Sequence, residues 1–279
     1  MSDIFSGLES FGIKNTEDIE VFEEEKKEER QKQEQTVEEK IVLEEDLLFE
    51  KTYTCPVCEN EFKSKKVRTG RAKLLGADTD LRPKYQGVDS LKYDAIMCPY
   101  CGYSALDRYF NFVMASQAKL IKEQISKNFH DTTPLGKCYD YDTALARHKL
   151  ALLNTIVKKG KASEKAYTCL KIAWLFRGKR EKMRLEGGDK NKMEEMFREE
   201  MQFLGNAFEG FSTAYSKEEF PMCGMDQYTL SYLLADLARR IGKKEEAKRW
   251  VSRVLVARSA NKRIKDKAMD LKELLQTDE

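Results

Sequence analysis

Two Cys-Pro-x-Cys tetrapeptides, Cys55-Pro56-Val57-Cys58 and Cys98-Pro99-Tyr100-Cys101, constrain the fold of this 279-residue chain more than any other feature. A tight turn across two intervening residues brings both sulfurs of a pair to one side of the backbone. Two such knuckles on adjoining hairpins close a tetrahedron of thiolates around Zn2+. The expected ligands of one structural zinc ion are therefore Cys55, Cys58, Cys98 and Cys101. Four thiolates saturate zinc and leave no position for water or substrate, so the expected site serves folding and not catalysis. A left-handed residue belongs behind each knuckle; Gly102 adopts that conformation without strain, and Asn60 approximates it. The 39 residues between the pairs exceed the ~15–20 of the compact double pattern, so this spacer must hold more than a turn.

Cys98-Pro99-Tyr100-Cys101 is also the active-site tetrapeptide of glutaredoxins, in which a helix N-terminus lowers the first thiol's pKa. A thiol–disulfide redox role for Cys98 and Cys101 is thus a minor alternative. It needs a strand-helix-strand frame that the segment does not display, and it leaves Cys55 and Cys58 unexplained. The odd total of seven cysteines fits a reducing compartment better than a disulfide framework. Cys138, Cys169 and Cys223 are expected as structural thiols.

Around the knuckles the chain divides into three. Residues 17–46 carry fourteen acids against five bases, and 23–36 contain no apolar residue, which describes a solvated helix or a disordered linker. Ahead of it, Ile4, Phe5, Leu8 and Phe11 recur at helical spacing in a segment too short to be a stable helix alone. Such a segment folds when docked, in a groove of this protein or of a partner. Residues 1–46 are therefore a charged extension, disordered or an isolated helix. Residues 47–103 read as short strands and loops, a small β zinc ribbon, because Pro56, Pro83, Pro99 and several glycines exclude long helices.

Residues 104–279 are expected to be all helical. Apolar residues recur there at three and four, as in Met193, Met196, Phe197, Leu204, Ala207, Phe208, Phe211, Ala214 and Tyr215, and about seven helices are expected. Ser104 with Asp107, Asp189 and Asp226 are the expected N-terminal caps. Residues 172–177 (Ile-Ala-Trp-Leu-Phe-Arg) match 234–239 (Leu-Ala-Asp-Leu-Ala-Arg) at an offset of 62 residues. With Gly242 at a turn and Ala247 at a crossing, the second copy resembles a tetratricopeptide helix pair. In the first copy a loop at 178–189 is expected to delay the second helix, which breaks the regular period and gives an irregular helical-hairpin array. Trp174 and Trp250 are expected in its core.

Catalytic constellations are poorly supported. His130 and His148 fall in no metalloprotease or nucleophile-elbow setting, and there is no Gly-rich phosphate loop. The expectation is a protein that is not an enzyme. Between the knuckles, within residues 63–84, Lys63, Lys65, Lys66, Arg68, Arg71, Lys73, Arg82 and Lys84 stand against only Asp78 and Asp80. This is the candidate contact surface for nucleic-acid phosphates, with Tyr85 or Tyr93 as a stacking face. The competing expectation is a solvated loop in which Arg68 and Arg71 pair with Asp78 and Asp80. No run approaches a membrane span, and the first residues lack the order of a signal peptide, so a cytoplasmic location without membrane contact is expected.

Several of these stretches together resemble a bacterial family, the domain of unknown function 2225. They are Tyr53 through the first knuckle, Val67-Arg68-Thr69-Gly70-Arg71, Asp78-Thr79-Asp80, Tyr85, Tyr93, the second knuckle with Gly102-Tyr103, and the two repeat copies. The resemblance implies a zinc ribbon joined to tetratricopeptide-like helices and carries no activity. The combined expectation is a mainly α protein acting as a zinc-binding protein-interaction adaptor through its helical groove, with nucleic-acid binding through 63–84 as the alternative.

Overall fold

The computed structural model describes residues 43–68, 70–131 and 136–277. The amphipathic segment of Ile4 to Phe11 and the apolar-free run 23–36 lie outside the described residues. The protein is mainly α, with small antiparallel strand pairs preceding a helical array.

Three two-stranded hairpins come first. Strand β1 (Leu48–Thr54) pairs with β2 (Glu61–Val67), β3 (Leu74–Ala77) with β4 (Pro83–Tyr85), and β5 (Ala95–Met97) with β6 (Ser104–Leu106). In the first hairpin Tyr53 lies directly opposite Phe62, and their rings stack at 5.9 Å while the ring of Phe110 meets both edge-on. Cross-strand aromatic pairs of this kind fix register by side-chain packing. The chain is engaged even before β1: Glu44 accepts from the Tyr93 hydroxyl at 2.7 Å and from Lys92 Nζ.

Seven α-helices follow among the described residues. They are α1 (Ala115–Gln124), α2 (Tyr141–Val157), α3 (Ala162–Leu185), α4 (Lys190–Lys217), α5 (Gln227–Arg240), α6 (Lys244–Val256) and α7 (Lys262–Thr277). Consecutive members from α2 onward pack on one another and share one core that includes Leu170, Leu175, Leu204, Phe211, Leu234 and Val254. Asp189 caps α4 by accepting from the Asn191 amide at 2.7 Å, and Asp226 caps α5 by accepting from the amides of Tyr228 and Thr229. Each satisfies amides that a helix start leaves unpaired. Gly242, at φ +79, ends α5 as expected; the Lys243 amide reaches back to the Ala238 carbonyl at 2.8 Å, closing the helix in the manner of a glycine C-terminal motif.

Two local expectations are corrected. Ser104 caps no helix: it opens strand β6, and its hydroxyl donates to the Arg147 carbonyl at 3.0 Å, tying the hairpin to α2. A Ser-x-x-Asp pattern is satisfied equally well by a strand whose hydroxyl finds a tertiary acceptor. The loop expected at 178–189 is helical as far as Leu185. Gly178 does not break α3; it lets neighbours approach, since a Cβ there would lie 2.7 Å from the Tyr141 hydroxyl and 2.9 Å from Arg82 Nη2. The turn comes later, at Gly187, with φ +72.

Candidate metal centre and the docked spacer

The first knuckle follows β1 and the second follows β5, and the two repeat one another in detail. The Cys55 amide donates to the Asn60 carbonyl at 3.0 Å and the Glu59 amide to the Cys55 carbonyl at 2.9 Å. At the equivalent positions the Cys98 amide donates to the Tyr103 carbonyl at 2.8 Å and the Gly102 amide to the Cys98 carbonyl at 3.1 Å. Gly102 takes the left-handed conformation at φ +71, as expected, but in the first knuckle Glu59 takes it at φ +65 and Asn60 does not. Asn60 instead turns its side-chain amide toward the Cys58 sulfur at 3.5 Å. At Gly102 the lack of a side chain has a second use, because a Cβ would stand 2.4 Å from the Phe129 ring.

The four sulfurs all lie within 4.8 Å of one another. Cys55 Sγ is 3.6 Å from Cys101 Sγ, and Cys58 Sγ is 3.6 Å from Cys98 Sγ. A metal bonded to thiolates at ~2.3 Å in tetrahedral geometry needs sulfurs about 3.8 Å apart, so these side chains fit one ion. Cys55, Cys98 and Cys101 are buried among Val57, Phe62, Ile96 and Tyr103. As free thiols they are in conflict. Hydrogen bonds from Cys101 and Cys98 draw the Cys55 thiol down, while bonds to Cys55 and Cys98, with burial, push the Cys101 thiol up. Cys98 is drawn down by Cys101 but pushed further up by Cys55 and burial. A divalent cation removes the conflict by accepting all four sulfurs as thiolates. No helix begins at the second knuckle, so the dipole that a glutaredoxin-like Cys98 requires is not supplied there.

The sequence matches the family model described as an uncharacterized protein conserved in bacteria, DUF2225, over residues 48–275. The chain belongs to that family. No curated protein and no solved structure matches it. The matched span of this DUF2225 member takes in both knuckles, the spacer between them and the helices through most of α7.

The spacer is not a solvated loop. The tip of the β3–β4 hairpin, Asp78-Thr79-Asp80, is laid onto helices α3 and α5. Arg177 of α3 grips Asp80 through two nitrogens, at 3.0 and 2.6 Å, and also reaches Asp78 at 3.1 Å. Trp174 donates its indole N–H to Asp80 at 3.0 Å. From α5, Tyr232 donates to the Thr79 carbonyl at 2.6 Å, and Arg240 Nη2 to the Thr79 hydroxyl at 2.7 Å. The Thr79 hydroxyl donates in turn to Asp236 at 2.8 Å. Glu200 of α4 completes the network, accepting from Arg177 Nε at 2.6 Å and Arg180 Nη2 at 2.7 Å. Asp80 and Asp236 are 0% exposed, a burial tolerable only because each carboxylate meets several donors. Burial pushes the Asp80 carboxyl up, but Arg177 and Arg240 more than offset it and hold the group below the usual carboxylate range. Asp78 is half-buried, which pushes its carboxyl up, but Lys84 and Arg177 more than offset this and hold it below the usual range.

The expected pairing of Arg68 and Arg71 with these aspartates is therefore corrected. Arg68 donates to the Leu48 carbonyl at 3.1 Å, and the partners of Asp78 include Arg82, Lys84 and Arg177. Among the other bases of the candidate contact surface, Lys65 bonds the carbonyls of Gly136 and Lys137, and Lys66 pairs with Asp107. Arg82 is buried and pairs with Glu181 at 2.9 Å, and Lys63 lies near Glu50 at 3.7 Å. Arg71 and Lys73 are exposed. Tyr93 is buried and stacks on Tyr139, not on a solvent-facing surface. Of the other thiols, Cys169 is buried, with its pKa pushed up to about 12 by that burial. His148 is fully buried, its Nδ1 2.8 Å from the Ala144 carbonyl. No helix among the described residues is long and apolar enough to cross a membrane.

The carboxylate–arginine network is not legible in the sequence, although some of its members stand out there separately. Asp78-Thr79-Asp80 belonged to the family resemblance, and Trp174 and Arg177 to the internal repeat. A usable signal was the repeat itself: a charged residue closes both copies, Arg177 and Arg239, and the second copy carries Asp236 within its apolar run.

Proposed function

We propose that this chain is a non-enzymatic, zinc-binding protein-interaction adaptor. The observation that carries this reading is the completeness of the four-cysteine set, combined with the anchoring of its spacer on the helical array. Soft thiolates in tetrahedral array select zinc among common cellular ions, and a site saturated by protein ligands has no vacancy for substrate. The ion then serves to hold together two short hairpins, β1–β2 and β5–β6, that bury little surface of their own. In this tetratricopeptide-like arrangement the helices supply extended faces, and such faces recognise peptides or helices of other proteins. Nucleic-acid binding through 63–84 is the weaker reading, because most of the bases there are engaged within the chain.

The test is capture of the tagged, full-length protein from its own cells with and without nuclease. A stoichiometric protein retained after nuclease treatment, and lost when competing untagged protein is added, supports the adaptor. Recovery of nucleic acid alone, with binding that falls steeply with salt, overturns it in favour of phosphate recognition.

A further inference from the structure

The face of α3 and α5 that holds the spacer tip is built as a recognition surface. Three features distinguish it from an ordinary packing contact. It reads the tip through its side chains and its backbone together: Arg177 and Trp174 take the Asp80 carboxylate, and Tyr232 takes the Thr79 carbonyl. It uses both copies of the internal repeat, since Trp174 and Asp236, 62 residues apart, contact the same three-residue tip. It also carries more donor capacity than the tip consumes. Arg180 Nε is buried without a hydrogen-bond partner, and the side chains of Arg180 and Arg240 remain 30% and 20% exposed at the edge of the network.

We propose that this face is a peptide-binding groove for acidic Asp-x-Asp turns of a partner protein, and that the chain's own Asp78-Thr79-Asp80 tip occupies it as a cis competitor. The proposal rests on the adaptor reading and names its partner chemistry: a turn with two carboxylates flanking a hydroxyl residue. An intramolecular ligand is present at high effective concentration, so the tip sets a threshold that a partner must exceed. The tip is also local. Its hairpin is only four and three residues per strand, and β3 is exposed along its length. It can therefore lift without opening the array.

The probe is a fluorescent peptide of residues 74–85, cyclised through added terminal cysteines, with a control carrying asparagine in place of both aspartates. Full-length protein is compared with a tip-emptied variant, Asp78→Ser, Thr79→Gly, Asp80→Ser. The emptied variant is expected to bind the peptide saturably at one per chain. Wild type should bind at least about tenfold more weakly, because its own tip competes. The asparagine control should also lose about tenfold or more, and Tyr232→Phe in the emptied variant should weaken binding by roughly 2- to 10-fold, as for one lost hydrogen bond. An emptied variant with native helix content that fails to bind the peptide overturns the proposal.

If the emptied variant does not fold, hydrogen exchange in wild type decides. Faster exchange at the Asp78 and Leu81 amides with the acidic peptide, but not with the control, supports displacement. Unchanged exchange at saturating peptide overturns it. Peptide-induced dimers that exchange hairpins would assign the groove to a second copy and also overturn it. Failure here with retained, nuclease-resistant capture from cells removes the groove alone. Failure of both removes the adaptor.

Discussion

The knuckle region and the helical array are held together by different physics. The first has short hairpins around a small aromatic and aliphatic core, Tyr53, Phe62, Ile96, Tyr103 and Phe110, which closes on four sulfurs. The second spreads one continuous apolar core over six helices, α2 through α7, with the Arg177 network among its buried charges. Strand pairs of three to seven residues bury too little to fold alone, whereas long amphipathic helices stacked on one another do not need a metal. The lesson is that metal dependence should be regional, and that the spacer couples the two regions because its ends lie at the knuckles and its tip lies on α3 and α5.

The largest expected effect breaks this comparison open. Replacing one ligand, Cys98→Ser, removes a thiolate from a site whose metal contributes on the order of 10 kcal/mol to folding in comparable structural sites. Metal content measured on the purified variant should fall from one ion per chain toward none, and near-ultraviolet circular dichroism from the buried tyrosines should collapse while most helical signal remains. Wild-type metal content and tyrosine signal in the variant would refute a structural centre.

Next in size is the coupling itself. Arg177→Ala removes the shared cation from the buried carboxylates Asp80 and Glu200, leaving Arg240 and Arg180 beside them, and breaking a buried pair from one side costs about 3–5 kcal/mol. Urea unfolding should show that loss in the helical transition, partly recovered when Asp80→Asn is added. An additive double variant would mean that the spacer tip and α3 are energetically independent.

Acid sharpens the comparison at the seam. His148 lies on α2 between the two regions, and burial lowers its pKa from 6.5 to about 4. The unfolded chain takes up the proton below about 6.5 and the folded one only near 4, so stability is lost as pH falls through that window. The full difference corresponds to about 3 kcal/mol. Urea midpoints at pH 7 and pH 4.5 should differ more for wild type than for His148→Gln, and equal pH slopes would contradict the assignment. The smallest effect belongs to the array alone: Asp226→Ala removes a cap on α5 and should cost about 1 kcal/mol without altering metal content.

Much of this was legible in the chain, and the misses have a common cause. Cysteine spacing located the four-sulfur cluster, a candidate metal site, because the chemistry fixes both residue type and separation. Helical periodicity and the caps Asp189 and Asp226 were legible because a cap acts within three residues of itself. What remained hidden depends on topology. Arg177 meets Asp80 across 97 positions, whereas proximity in sequence pointed to Arg68 and Arg71. Gly178 looked like a helix end because its reason for being glycine, the approach of Tyr141 and Arg82, exists only in the folded chain. Glu59 was missed because an unusual φ at a non-glycine residue leaves no mark on composition.

The most direct measurement of the central claim is amide hydrogen exchange, followed peptide by peptide, on the zinc-loaded protein and after chelation under reducing conditions. Protection should vanish over β1, β2, β5 and β6 and weaken at the 78–82 tip, while α4 through α7 keep theirs. Equal protection of the knuckle strands with and without metal would contradict a metal-held ribbon. Simultaneous loss across all helices would contradict two regions stabilised by different means.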